Sequence, residues 1–170
     1  MPIHFYNVAP IPADPNHTRY LDAGVLRFGI EHRLLNPQEL KTAYGSDVAA
    51  SQEIDDNLPE GGVDDQGVSI HVYGSDDGHE YLRFDIFDDE PHFHLLPRDN
   101  EQQYWVRYPP ELLGDMLPWV MGQLRGRLPE LLVMAAGEHL VSNLDGELIG
   151  RRVDELNTLV EEARCALTSR

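Results

Sequence analysis

The residues that could do chemistry crowd into three short segments. Val68 to Tyr73 carries Ser69, His71 and Tyr73, Glu80 to Asp88 carries Tyr81, Arg83, Asp85 and Phe87, and His92 to Leu96 carries His92 and His94. Apolar and polar residues alternate in each segment, the pattern of a strand whose successive side chains point to opposite faces. Val68, Ile70, Val72, Leu82, Phe84, Ile86, Phe93 and Leu95 then share one apolar face. The opposite face gathers Ser69, His71, Tyr73, Arg83, Asp85, His92 and His94, which are the candidate ligand-binding residues and include three of the chain's eight histidines.

The connections GSDDG and DDEP are rich in the aspartate and glycine that favour turns, so the three strands form an antiparallel meander. A tight DDEP loop joining Phe87 to His92 sets Asp85 opposite His94, and a loop closing Tyr73 against Tyr81 sets His71 opposite Arg83. Cross-strand neighbours lie about 4.5 to 5.5 Å apart, close enough for His71, Asp85, His92 and His94 to share one small ligand. Two histidines at i and i+2 can close around one metal ion, and two or three imidazoles with one carboxylate suit Zn or Fe(II). Vacant coordination positions would make such a site a Lewis acid or an oxygen activator. Two other readings stay open: a metal-free ligand pocket, and a polar face held only by its own ion pairs, with Arg83 beside Asp85.

The run His92-Phe93-His94 followed by Asp99 is similar to the first half of a cupin metal motif, in which two alternating histidines on a strand precede a carboxylate. The resemblance covers eight residues. Asp99 stands where that motif has Glu, the second motif with its glycine, proline and later histidine is missing, and the last sixty residues look helical rather than β.

Several other elements must position these strands. Tyr20 to Leu35 puts Leu26, Phe28, Ile30 and Leu34 on one side and Arg27, Glu31 and Arg33 on the other, which predicts a half-buried strand. Asn36 and Pro37 open a short helix to Tyr44, ended by Gly45. Residues 46–67 hold seven acidic residues and neither Lys nor Arg, with Pro59, Gly61 and Gly62 as breakers, and read as a mobile acidic loop. Tyr104 to Tyr108 supplies a further strand. After Pro110 the pattern is helical: Leu112 to Leu124 on one face with Pro118 kinking or breaking the helix, a short helix from Pro129 to Gly137, and a last one carrying Ile149, Val153, Leu156, Val160, Ala163 and Leu167. Strands first and helices afterwards predict an α+β fold, an antiparallel β-meander of about four to six strands with C-terminal helices packed on one sheet face. Residues 1–170 read as a single domain, β-rich over 1–109 and helical over 110–170.

Composition removes whole classes of function. A net charge of -17 over 170 residues repels phosphate backbones, so nucleic acid is not an expected partner. No stretch approaches the ~20 apolar residues that span a bilayer, and the start lacks a basic segment followed by an apolar one, so no membrane partner and a cytoplasmic location are expected. Cys165 stands alone and cannot form an internal disulfide or a four-cysteine zinc site. A P-loop, a dinucleotide fingerprint and a G-x-S-x-G elbow are all missing, and Asp76-Asp77 and Asp88-Asp89 do not match a calcium loop. The sequence points first to a non-catalytic binding or interaction domain for a small-molecule or protein ligand, with a homodimer as one form. The alternative is a small metal-dependent enzyme with His71, His92 and His94 as ligands, Asp85 as ligand or base, and Tyr73 and Arg83 orienting an anionic substrate.

Overall fold

The alternating segments become neighbouring strands. In the computed structural model, which describes residues 1–98 and 102–168, β1 (Ile3–Tyr6), β2 (Arg19–Ala23), β3 (Leu26–Leu35), β4 (Asp65–Gly74), β5 (Glu80–Phe87), β6 (His92–Leu95) and β7 (Gln103–Arg107) form one antiparallel sheet of order β1-β7-β6-β5-β4-β3-β2. From β2 to β7 this is an unbroken meander, with β1 added at the β7 edge. Seven strands exceed the expected four to six. The excess has two sources: β1, and the segment 20–35, which folds as a hairpin rather than one strand because Gly24, at φ 73, turns the chain between β2 and β3.

Two helices, α1 (Pro37–Tyr44) and α2 (Val48–Asn57), follow β3. The side chain of Asn36 accepts from the Gln38 and Glu39 amides, which makes α1 the helix that the sequence predicts. The segment 46–67, expected as loop throughout, needs correction. The Asp47 carboxylate accepts from the Ala49 and Ala50 amides and caps α2, no glycine or proline interrupts residues 48–57, and Asp65 already belongs to β4.

The C-terminal part comprises α3 (Pro110–Leu113), α4 (Met116–Gly126), α5 (Leu128–Met134), α6 (Glu138–Val141) and α7 (Gly146–Thr168). The helix break falls at Gly114, at φ 78, and not at Pro118. Pro118 sits in the first turn of α4, where its missing N–H has no intrahelical partner to lose. Val120 and Leu124 of α4, Leu132 of α5 and Val153, Leu156 and Val160 of α7 pack on Phe28, Ile70, Leu82 and Phe84 of the sheet. Fully burying one such side chain is worth about 1.5–3 kcal/mol, and this face is the main core. Among the described residues no helix is long and apolar enough to cross a membrane.

Candidate functional site

Strand register arranges the opposite face as two rows running across the sheet. Glu31, Ser69, Asp85, His92 and Arg107 form one row, and Gly29, His71, Arg83, His94 and Trp105 form the next. His71 does lie opposite Arg83, as the sequence predicts. Asp85, however, lies opposite His92 and not His94, because the β5–β6 register is shifted by two residues: six residues, 86–91, separate these partners where the expected pairing puts eight between Asp85 and His94. A β-bulge between Val72 and Tyr73 adds a second change. Tyr73 pairs with Glu80, so Tyr81 is the extra residue of β5 and turns into the helix-covered core, while Glu80 joins the polar face.

That face is not open to solvent. Ser69, His71, Arg83, Asp85, His92 and His94 are all buried. Residues 7–17 run over it, with the Ile11 carbonyl accepting from Arg83 and Arg33, the Val8 carbonyl from Gln103 and the Ala9 carbonyl from Tyr44. Helices α1 and α2 complete the cover and leave a cavity of about 360 Å³. Its floor includes Asp85, His92 and His94, and its roof includes Leu40, Ile54 and Leu58. Burial pushes the Tyr44 hydroxyl up to about 12, which keeps it a neutral donor in the wall.

Two clusters divide the polar residues. In the first, the Asp85 carboxylate is the hub: its Oδ2 lies 3.1 Å from His92 Nε2 and 3.0 Å from His94 Nε2, and its Oδ1 accepts from the Ser69 hydroxyl. One ligand atom from each of Asp85, His92 and His94 lies within 4.8 Å of the others. Burial opposes charge on Asp85, but the hydrogen bonds with His92 and His94 outweigh it and hold the carboxyl well below its ordinary value. Burial also pushes the His94 imidazole down to about 4, with Asp85 opposing only in part. At neutral pH the two groups therefore stand as carboxylate and neutral imidazole, the forms that bind metals. His92 Nδ1 lies 2.6 Å from the Glu90 carbonyl, which can only accept, so Nδ1 carries the proton. A neutral His92 then turns the bare lone pair of Nε2 toward the Asp85 oxygen, an arrangement that calls for a cation between them or a second proton on the ring.

The second cluster takes His71 away from the other histidines. His71 Nδ1 lies 2.6 Å from Glu80 and its Nε2 3.5 Å from Glu31, with Tyr73 stacked on the ring. Arg83 lies between His71 and His94 in its row and donates to both Glu80 oxygens at 2.8 and 2.7 Å. Burial alone would make His71 less basic, but Glu31 and Glu80 outweigh it and raise its pKa. Burial works against charge on Glu80 as well, and Arg83 and His71 more than reverse this.

Of the residues singled out from the sequence, Ser69, Asp85, His92 and His94 therefore converge, whereas His71, Tyr73 and Arg83 belong to the neighbouring ion-pair cluster. His71 is not among the residues whose ligand atoms come together around Asp85. Asp99 lies outside the described residues. Glu31, Glu80, Arg107 and Trp105 were missed. The alternation puts Glu31 opposite the apolar side of its strand, and the pairing of β3 with β4 sets it beside Ser69. For Glu80 the alternation points the wrong way, because the bulge is invisible to a period of two.

Residues 20–160, which include every member of both clusters, match a family described as a domain of unknown function, DUF7700. The chain belongs to that family. No curated protein matches the chain, and no solved structure matches it. The matched stretch takes in Asp85, His92 and His94 together with α1 and α2, while the covering residues 7–17 precede it.

Proposed function

We propose that this domain is a metal-dependent site for a small molecule, with His92, His94 and Asp85 as ligands of one Zn or Fe(II) ion on the floor of the cavity. The observation that carries this reading is the His92 ring, held by the Glu90 carbonyl so that its Nε2 lone pair faces the Asp85 carboxylate at 3.1 Å. Two imidazoles and one carboxylate are a donor set suited to either metal, and three protein ligands leave coordination positions for water or substrate. A metal bound there supplies Lewis acidity, or a place to bind oxygen if it is iron. Ser69 fixes the carboxylate and the Glu90 carbonyl fixes the His92 tautomer, the outer-shell support that metal ligands require. The cover of residues 7–17, α1 and α2 shields the site from bulk water.

The test is elemental analysis of protein purified without a histidine tag, followed by titration of Zn and Fe(II) into the stripped protein. About one metal per chain is expected, lost when His92 and His94 are both replaced by Ala and weakened at least about a hundredfold by Asp85→Asn. Unchanged uptake in the double variant, or no uptake at all, refutes the proposal. The second reading is a metal-free binding pocket in which His92 is an imidazolium paired with Asp85, and the same 3.1 Å contact favours it. Nitrogen chemical shifts separate the two: protons on both His92 nitrogens belong to the pocket, and a ligated Nε2 to the metal site.

A further inference from the structure

We propose that the cavity takes a small monocarboxylate with an apolar body, its carboxylate held by the guanidinium of Arg107 beside the metal ligands. The inference rests on the metal reading of Asp85, His92 and His94. Arg107 stands directly opposite His92 in the β6–β7 register, on the same face and within the span of cross-strand neighbours, about 4.5 to 5.5 Å. It also lines the cavity.

The three arginines of the wall differ in what already occupies them. Arg83 is buried and spends its donors on Glu80 and the Ile11 carbonyl. Arg33 donates to the Ile11 carbonyl, with Glu31 at 3.8 Å, and its Nη1 is buried without a hydrogen-bond partner among the described residues, but its row runs to Gly67 and Phe87 and not to a metal ligand. Among the described residues the Arg107 guanidinium pairs with Glu111 alone, at 2.8 Å, and the two side chains are 33% and 55% exposed. A surface pair of this kind contributes little, so a ligand carboxylate can take Glu111's place on the guanidinium fork at small cost.

The roof of the same cavity is apolar where Leu40, Ile54, Leu58 and Val63 line it. It offers no partner to a second charged group and instead buries a hydrocarbon or ring. The chain carries a net charge of -17, and Asp65 and Glu90 also border the cavity. In the wall Asp65 and Glu90 offset the charges of Arg33 and Arg83, which leaves Arg107 for one carboxylate and no surplus positive group for a second negative charge.

Benzoate is a suitable probe, with benzamide as its uncharged counterpart, titrated calorimetrically into zinc-loaded protein after zinc affinity has been measured separately. Benzoate is expected to bind, benzamide to bind at least about tenfold more weakly, and Arg107→Met to weaken benzoate by about tenfold or more with zinc affinity unchanged. Ile54→Asp, which places a charge in the roof, is expected to weaken benzoate while leaving zinc in place. Zinc uptake without benzoate binding, or benzoate binding that Arg107→Met leaves unaltered, overturns this inference alone. Failure of zinc uptake overturns the metal reading and this inference with it.

Discussion

Replacing Glu80 by Gln isolates the energetic role of the buried ion cluster. Arg83 is 2% exposed, and its guanidinium donates to both Glu80 oxygens, at 2.8 and 2.7 Å, and to the Ile11 carbonyl at 2.8 Å. Glu80→Gln keeps the size of the side chain and one acceptor but leaves a buried guanidinium without its counter-charge. Removing one partner of a buried pair costs about 3–5 kcal/mol, and the retained amide oxygen puts this variant near the lower figure, about 3 kcal/mol. In a chain of 170 residues that loss lowers Tm by about 6–12 °C. Urea denaturation at neutral pH measures it as a shift of the midpoint at constant slope. The acid limb provides a second check. Glu80 titrates far below its ordinary 4.5 because Arg83 and His71 outweigh its burial, so its stabilisation is present above about pH 4.5 and is lost as pH falls toward the folded value. Glu80→Gln should remove that part of the acid-side slope. The double variant Glu80→Leu/Arg83→Met removes both charges and should be less destabilised than Glu80→Gln alone. A loss below about 1 kcal/mol in the single variant, or a double variant at least as unstable, refutes the argument that Arg83 depends on Glu80 for its place in the fold.

Two further changes probe other parts of the molecule. His71 has a pKa raised above its ordinary 6.5 by Glu31 and Glu80, so its contribution is fully present below about pH 6.5 and is lost as pH rises through the folded value. His71→Asn should therefore flatten the alkaline decline of the urea midpoint between about pH 6 and pH 9, and an unchanged decline assigns it to other groups. Asp47→Ala removes the cap of α2 at a cost of about 1 kcal/mol and should speed amide exchange over residues 48–57 relative to the main sheet. Equal exchange in both proteins would mean that Asp47 does not hold this helix.

The apolar face of the meander was legible because it obeys a single rule. Val68, Ile70, Val72, Leu82, Phe84, Ile86, Phe93 and Leu95 alternate without interruption, and all eight are buried in the core. The α+β class followed from the same alternation and from the helical spacing of Val153, Leu156 and Val160. What escaped depends on features with no sequence period. The two-residue shift of β6 against β5 is a property of the turn, and the bulge that turns Tyr81 away and brings in Glu80 replaces alternation locally. Helix α2 was hidden by its acidity, although the cap at Asp47 was available as a signal. The cover over the polar face could not be read at all, because residues 7–17 dock mainly through backbone carbonyls, which every residue possesses.

That cover changes how the histidines must be understood. On an open sheet face, His92 and His94 could satisfy Asp85 in water and carry no further meaning. Buried, each polar atom needs a partner or costs free energy. The neighbouring cluster is an ion-pair network: Arg83 spends its donors on Glu80 and Ile11 and His71 Nδ1 meets Glu80, although His71 Nε2 and Glu31 Oε2 stop 3.5 Å apart without a hydrogen bond. Around Asp85 the balance fails. One oxygen faces two ring nitrogens, His92 has its Nδ1 proton committed to the Glu90 carbonyl, and His94 Nδ1 has no hydrogen-bond partner among the described residues. A purely structural face could exchange these groups for apolar ones of similar size with little loss of stability. Asp85, His92 and His94 also line the cavity, and the coincidence of converging metal-donor atoms with open space is the argument for a ligand there.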